Sequence, residues 1–152
     1  MSAASIEGFF VGEFRHALDP KRRVTIPSEW RAVVGPPDEM FVLPSTKRRC
    51  LVLRPARDMG RVMERLRGLP AQAADAQKAR MILASQAQRL TWDGQGRIRV
   101  RDGLLDFAEI GKAAVLVGNF DSFALWSPER WAEYNQPQDS LRVLDLADGV
   151  DI

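Results

Sequence analysis

Two stretches standing 74 residues apart constrain this chain more than any other feature. One runs Asp19-Pro20-Lys21-Arg22-Arg23-Val24-Thr25-Ile26-Pro27, the other Asp93-Gly94-Gln95-Gly96-Arg97-Ile98-Arg99-Val100. In each, an Asp opens a tight turn, since its carboxylate can bond back to nearby backbone amides. An Arg follows four positions later, and apolar and polar residues then alternate. Alternation of this kind reads as a half-buried strand. Val24 and Ile26 face inward in the first copy, Ile98 and Val100 in the second. The outer faces then carry Arg23 and Thr25, and Arg97, Arg99 and Arg101. Asp19, Asp93 and Gly96 are structural turn residues on this reading.

The surrounding order repeats as well. In the first half, a strand at 14–18 precedes the turn, and Gly12 separates it from an apolar start at 9–11. Pro27 ends the next strand, and Ser28 caps a helix over 29–34 that Gly35-Pro36-Pro37 stops. Strands at 40–43 and 51–53 flank the basic loop Thr46-Lys47-Arg48-Arg49. Pro55 introduces a helix whose Met59, Val62, Met63, Leu66 and Leu69 form one apolar stripe. Pro70 breaks it, and a second helix covers 72–84. The second half gives a strand at 87–92, the Asp93 turn, a strand at 97–101 and a helix at 104–108. Strands at 113–117 and 123–126 follow, and Ser127-Pro128 starts a helix through Tyr134. Two copies of one supersecondary unit is the reading. Neither has enough strands to bury its own faces, so the copies are expected to share a core. The fold class is α+β, with units at 8–70 and 71–135 and a flexible acidic tail at 136–152.

Composition narrows the function. Formal net charge is only +2 over 152 residues, so a bulk polycation is excluded and any anion-binding surface is local. Residues 15–57 carry ten Lys or Arg against four Asp or Glu, whereas the last fourteen residues carry four Asp against Arg142. A basic surface and a separate acidic end follow. One cysteine and one histidine leave no cysteine- or histidine-rich metal site. No nucleophile–base pair or phosphate-cradling loop stands out, so neither an enzyme nor a cofactor is expected. The opening residues lack the cationic start and apolar run of a signal peptide, and no window approaches a membrane span. A cytosolic chain is the expectation.

With those residues in place, the chain resembles the MraZ family of bacterial transcriptional regulators. Phe10-Val11-Gly12-Glu13-Phe14 is similar to the family's opening. Asp19 to Pro27 and Asp93 to Arg97 resemble its two Asp-x-x-x-Arg signatures, and Val115-Leu116-Val117-Gly118 and Leu125-Trp126-Ser127-Pro128-Glu129-Arg130-Trp131 its second half. The resemblance implies two tandem AbrB-like swapped-hairpin units forming a pseudo-dimeric β-barrel core with short flanking helices. It also implies ring-shaped homo-oligomers on repeated sites in double-stranded promoter DNA of the division and cell-wall gene cluster, acting as a repressor in the nucleoid. The chain departs from the family twice. Arg22 stands at the usual turn glycine, and Arg101 stands where Pro follows the second strand.

From residues alone, Arg23 and Arg97 could contact DNA or could pin their turns through Asp19 and Asp93. The resemblance favours DNA contact, by two parallel bonds to guanine or by phosphate clamping. Lys21 and Arg22 at the turn tip read as phosphate contacts, and Arg15 and Arg99 as extensions of the basic surface. Lys47-Arg48-Arg49 reads as a solvated hairpin tip, and the four Trp as core or interface. A self-assembling scaffold that has lost specific DNA binding is the alternative function.

Overall fold

The computed structural model describes residues 8–70 and 72–150. The loose end expected over residues 1–7 lies outside them. Among the described residues eight strands form: β1 Glu13–Ala17, β2 Val24–Thr25, β3 Met40–Ser45, β4 Cys50–Pro55, β5 Gln88–Leu90, β6 Arg97–Ile98, β7 Ala113–Gly118 and β8 Phe123–Trp126. The helices are α1 Ser28–Val34, α2 Met59–Arg67, α3 Ala73–Gln86, α4 Asp102–Phe107, α5 Pro128–Tyr134 and α6 Pro137–Asp148. Ser127 caps α5 by accepting a bond from the Arg130 amide. Ser28 does not cap α1 as expected: it is the first helical residue, and the Pro27 carbonyl accepts from Trp30 and Arg31.

Six strands form one antiparallel sheet in the order β1-β7-β8-β4-β3-β5, and β2 and β6 pair apart from it. The order crosses the repeat boundary. β1 of the first half lies on β7 of the second, and β5 of the second lies on β3 of the first. The two exchanges share a register: shifting Phe14↔Leu116 by one repeat, with the halves exchanged, gives Gln88↔Val42. Two pairs map onto themselves under that shift, Val24↔Ile98 and Leu51↔Leu125. They mark a pseudo-twofold axis through the molecule.

The expected barrel is not formed. β1 and β5 remain the two edges of an open sheet, and the two-residue strands β2 and β6 pair only with each other. Strands that short cannot bridge the edges, so the β2–β6 ribbon lies across one sheet face instead. Val24, Ile26, Ile98 and Val100 are all buried there, at 3% exposure or less, as the alternation requires. That face closes over Trp30, whose ring centroid lies 5.8, 5.2 and 4.7 Å from those of Phe10, Phe14 and Phe123. On the opposite face, Cys50, Val115 and Trp126 pack under Trp131 of α5. Phe41 and Leu43 meet α2 and α3 on that same side. The stretch 136–152, expected as a flexible tail, contains α6, whose residues are mostly exposed. Among the described residues no helix is long and apolar enough to cross a membrane.

Candidate nucleic-acid interface

The two Asp-x-x-x-Arg turns fold alike. Asp19 Oδ1 accepts from the backbone amides of Lys21 and Arg23 at 3.0 and 2.8 Å. Asp93 Oδ1 accepts from those of Gln95 and Arg97 at 2.9 and 3.0 Å. In both turns the second carboxylate oxygen takes the Arg Nε, at 2.7 Å for Arg23 and 2.9 Å for Arg97. The residue before each Arg has left-handed backbone, φ 60° at Arg22 and φ 79° at Gly96. A glycine adopts that conformation freely, whereas a residue with Cβ is strained by about 1–2 kcal/mol.

Arg22 keeps this conformation with its side chain tied to α4. Nη1 donates to Asp102 Oδ1 at 2.7 Å and Nη2 to the Ile110 carbonyl at 3.1 Å. The turn geometry thus survives the loss of the glycine. At Gly96 the open space serves another purpose: a Cβ there would lie 2.7 Å from Cζ of Arg31, which donates to the Ile26 carbonyl.

The ribbon joins the two turns. Besides its own Asp, each Arg lies near the other copy's: Arg23 Nη1 is 3.9 Å from Asp93, and Arg97 Nη1 is 3.8 Å from Asp19. Four charges therefore alternate around the pseudo-twofold axis. Both readings of these arginines are compatible with this arrangement, because the carboxylate bonds only Nε. Among the described residues the Nη atoms of Arg23 and Arg97 make no hydrogen bond, and each side chain is just over a quarter exposed. Each guanidinium is held in place at Nε, with Nη1 turned toward the other copy's carboxylate and Nη2 without an ion pair among the described residues.

The remaining candidates divide. Lys21 is exposed at the turn tip and has no ion pair among the described residues. Arg99 donates to Asp102 at 2.7 Å and to the Val100 carbonyl, so Asp102 bridges Arg22 and Arg99. Arg101 bonds the Gln86 and Ala87 carbonyls at the end of α3. Arg15 lies elsewhere. Its cross-strand partner Val115 belongs to the opposite sheet face, away from the ribbon, and its ion-pair partner is Glu13 at 4.0 Å. The Lys47-Arg48-Arg49 run is a hairpin tip, with the Arg49 guanidinium 5.1 Å above the Phe107 ring.

A family model described as "MraZ protein, putative antitoxin-like" matches residues 83–145. A "Transcriptional regulator MraZ" of Clostridium acetobutylicum is 34% identical over 127 residues, covering 84% of this chain and 87% of the relative. Proteins of the same name from Heliobacterium modesticaldum and Symbiobacterium thermophilum are each 36% identical, covering 84% and 83% of this chain and 87% and 89% of theirs. The chain belongs to the MraZ family. Asp102 and Arg31 are the residues of this MraZ member's turn region that sequence reading missed. Both act across the fold, Asp102 on a residue 80 positions away, and no local pattern signals such a contact.

Three carboxyls here sit below the usual range for Asp. The Arg23 amide and then its side chain hold Asp19 down, the Arg97 amide does so for Asp93, and the Arg99 side chain does so for Asp102. A folded-state pKa below the unfolded one means the unfolded chain binds more protons, so stability rises with pH. The contribution is complete above the unfolded value of about 3.9 and is lost as pH falls through the lowered values. Thermal melts of this MraZ chain are therefore expected to stay level from neutral pH to about 5 and fall below about 4. Asp19→Asn with Asp93→Asn should lower the neutral plateau and flatten that fall. A double variant with the wild-type acid profile would contradict it.

Proposed function

We propose that this MraZ-family chain is a DNA-binding transcriptional regulator, a repressor of the division and cell-wall gene cluster. It binds repeated sites in double-stranded promoter DNA as a closed ring and works in the cytoplasm, at the nucleoid. Its halves are read as AbrB-like swapped-hairpin units, 8–70 and 71–135, a reading supported by the strand exchange in matched register. The observation that carries the function is the pair of guanidinium edges on the ribbon, set beside the name that relatives bear over most of this chain's length.

The preorganised outer edges of Arg23 and Arg97 suit guanine O6 and N7, or phosphate oxygens. Lys21 and the remaining donors of Arg22 and Arg99 supply phosphate contacts beside them. Arg15, on the far face, contributes where DNA wraps the assembly. A ring repeats the ribbon, so several weak contacts combine only when sites recur at matching phase.

Mobility shifts on the chain's own upstream region test this. Affinity is expected to fall steeply with salt through counterion release, and to drop on the order of 10²-fold or more when repeats are cut to one. Equal affinity for single and repeated sites would sink the avidity mechanism. One observation favours the scaffold alternative: Asp102 partly neutralises Arg22 and Arg99. That reading expects weak, sequence-blind binding in the same assay.

A further inference from the structure

Among the described residues, two exposed apolar surfaces stand out. The first is a groove of about 310 Å³ between α2, α3 and β3, with Phe41 and Leu43 as floor and Met63, Leu66, Met81 and Ala84 as walls. Met81 is 68% exposed. The second is α6. Leu141, Leu144 and Leu146 are 69%, 61% and 74% exposed, and Val143 and Val150 are exposed too. Exposed apolar side chains at this density on one short segment mark an interaction site. α6 is fastened by a Ser140–Asn135 side-chain bond to the residue that follows α5, and it stands off α5 across an open cleft beside Trp131 and Tyr134. No α6 residue lines the groove.

Charge matches the two surfaces. α2 and α3 carry five cations, Arg61, Arg65, Arg67, Lys78 and Arg80, against Glu64 and Asp75. Among the described residues none of the five has an ion pair. α6 carries Asp139, Asp145 and Asp148 against Arg142, and only Asp139 is paired, within the helix. An apolar groove between two net-basic helices is the counterpart of an apolar, net-acidic helix.

We propose that α6 of one copy of this chain lies in the α2–α3 groove of a second copy. Groove and helix are different patches, so the contact runs head to tail and propagates by rotation. It names an interface for the assembly proposed above and rests on that reading. DNA contact by the ribbon is independent of it.

The test is the mass of the full chain in solution, by light scattering across a concentration series. The variants are Leu141→Glu with Leu144→Glu in α6, and Met81→Glu in the groove. All three positions are exposed, so each variant is expected to melt as wild type does. Where Met81→Glu lowers the melting temperature, Met81→Ser replaces it. Each variant should weaken association about tenfold or more. Mixing the two should restore a one-to-one pair, since one partner keeps its groove and the other its helix. Undiminished assembly in both variants would overturn the interface and leave the ring standing. A mixture that recovers no mass would overturn it as well, pointing to docking within one chain. A monomeric wild type at tens of micromolar would overturn this proposal and the ring together.

Discussion

Replacing Trp30 by Ala is expected to cost about 3–5 kcal/mol, the range for deleting a buried large aromatic. Trp30 is fully enclosed, and its indole touches Phe10, Phe14 and Phe123 at once. Its Nε1 also donates to the Val11 carbonyl at 3.1 Å. These partners come from the N-terminal segment, β1 and β8, so one side chain joins α1 to both halves of the repeat. The loss is a large share of the 5–15 kcal/mol that holds an ordinary domain. Urea unfolding should show a midpoint collapse, with the variant partly unfolded at 37 °C. A loss under about 1 kcal/mol would mean that the aromatic cluster is not the centre of the core.

Gly118→Ala is the second large effect, and here the obstacle is backbone. A Cβ at 118 would lie 2.4 Å from the Phe10 carbonyl oxygen and 2.8 Å from Val11 Cα. Nothing there is the end of a flexible side chain. The same segment is pinned by reciprocal bonds between Phe10 and Phe120 at 2.8 and 2.9 Å, and by Gly118 donating to Gly12 at 2.9 Å. Either β7 or the N-terminal segment must shift, at about 1–3 kcal/mol or more by overpacking. The segment is expected to give way, carrying Phe10 off the Trp30 ring. Amide exchange at Phe10 and Phe120 should rise well before global unfolding. Combined with Trp30→Ala the loss should be less than additive, because both changes act on one cluster. Unaltered protection at Phe10 would contradict this.

Much of the interior was legible in the residues. The alternation at Val24, Ile26, Ile98 and Val100 names four buried positions, because a strand lying on a core admits only one parity. The 74-residue shift also carries each strand and α1 of the first half onto its counterpart. What stayed hidden depends on contacts between the halves. β2 and β6 are two residues each and exist by pairing across the repeat, so no local pattern bounds them. The same pairing leaves the sheet open where a barrel was expected. Arg15 was read as part of the basic surface, but strand parity cannot say which of two outer surfaces it shares. Arg22 could not be assigned to α4, since its partner Asp102 lies in the other half. The apolar residues of α6 pack on little within the single chain and so gave no clear core pattern.

In the proposed function the Asp-x-x-x-Arg ribbon holds guanidinium edges ready for DNA. Arg23→Lys tests it most directly, because lysine keeps a cation beside Asp19 but cannot present two parallel donors. The measurement is affinity for the upstream repeats, taken alongside oligomer mass and melting temperature on the same preparation. The expected result is a loss of about 1–3 kcal/mol per engaged contact, with mass unchanged and melting temperature nearly so. Wild-type affinity in an intact, equally stable assembly would contradict the claim and leave Arg23 as a brace for its turn.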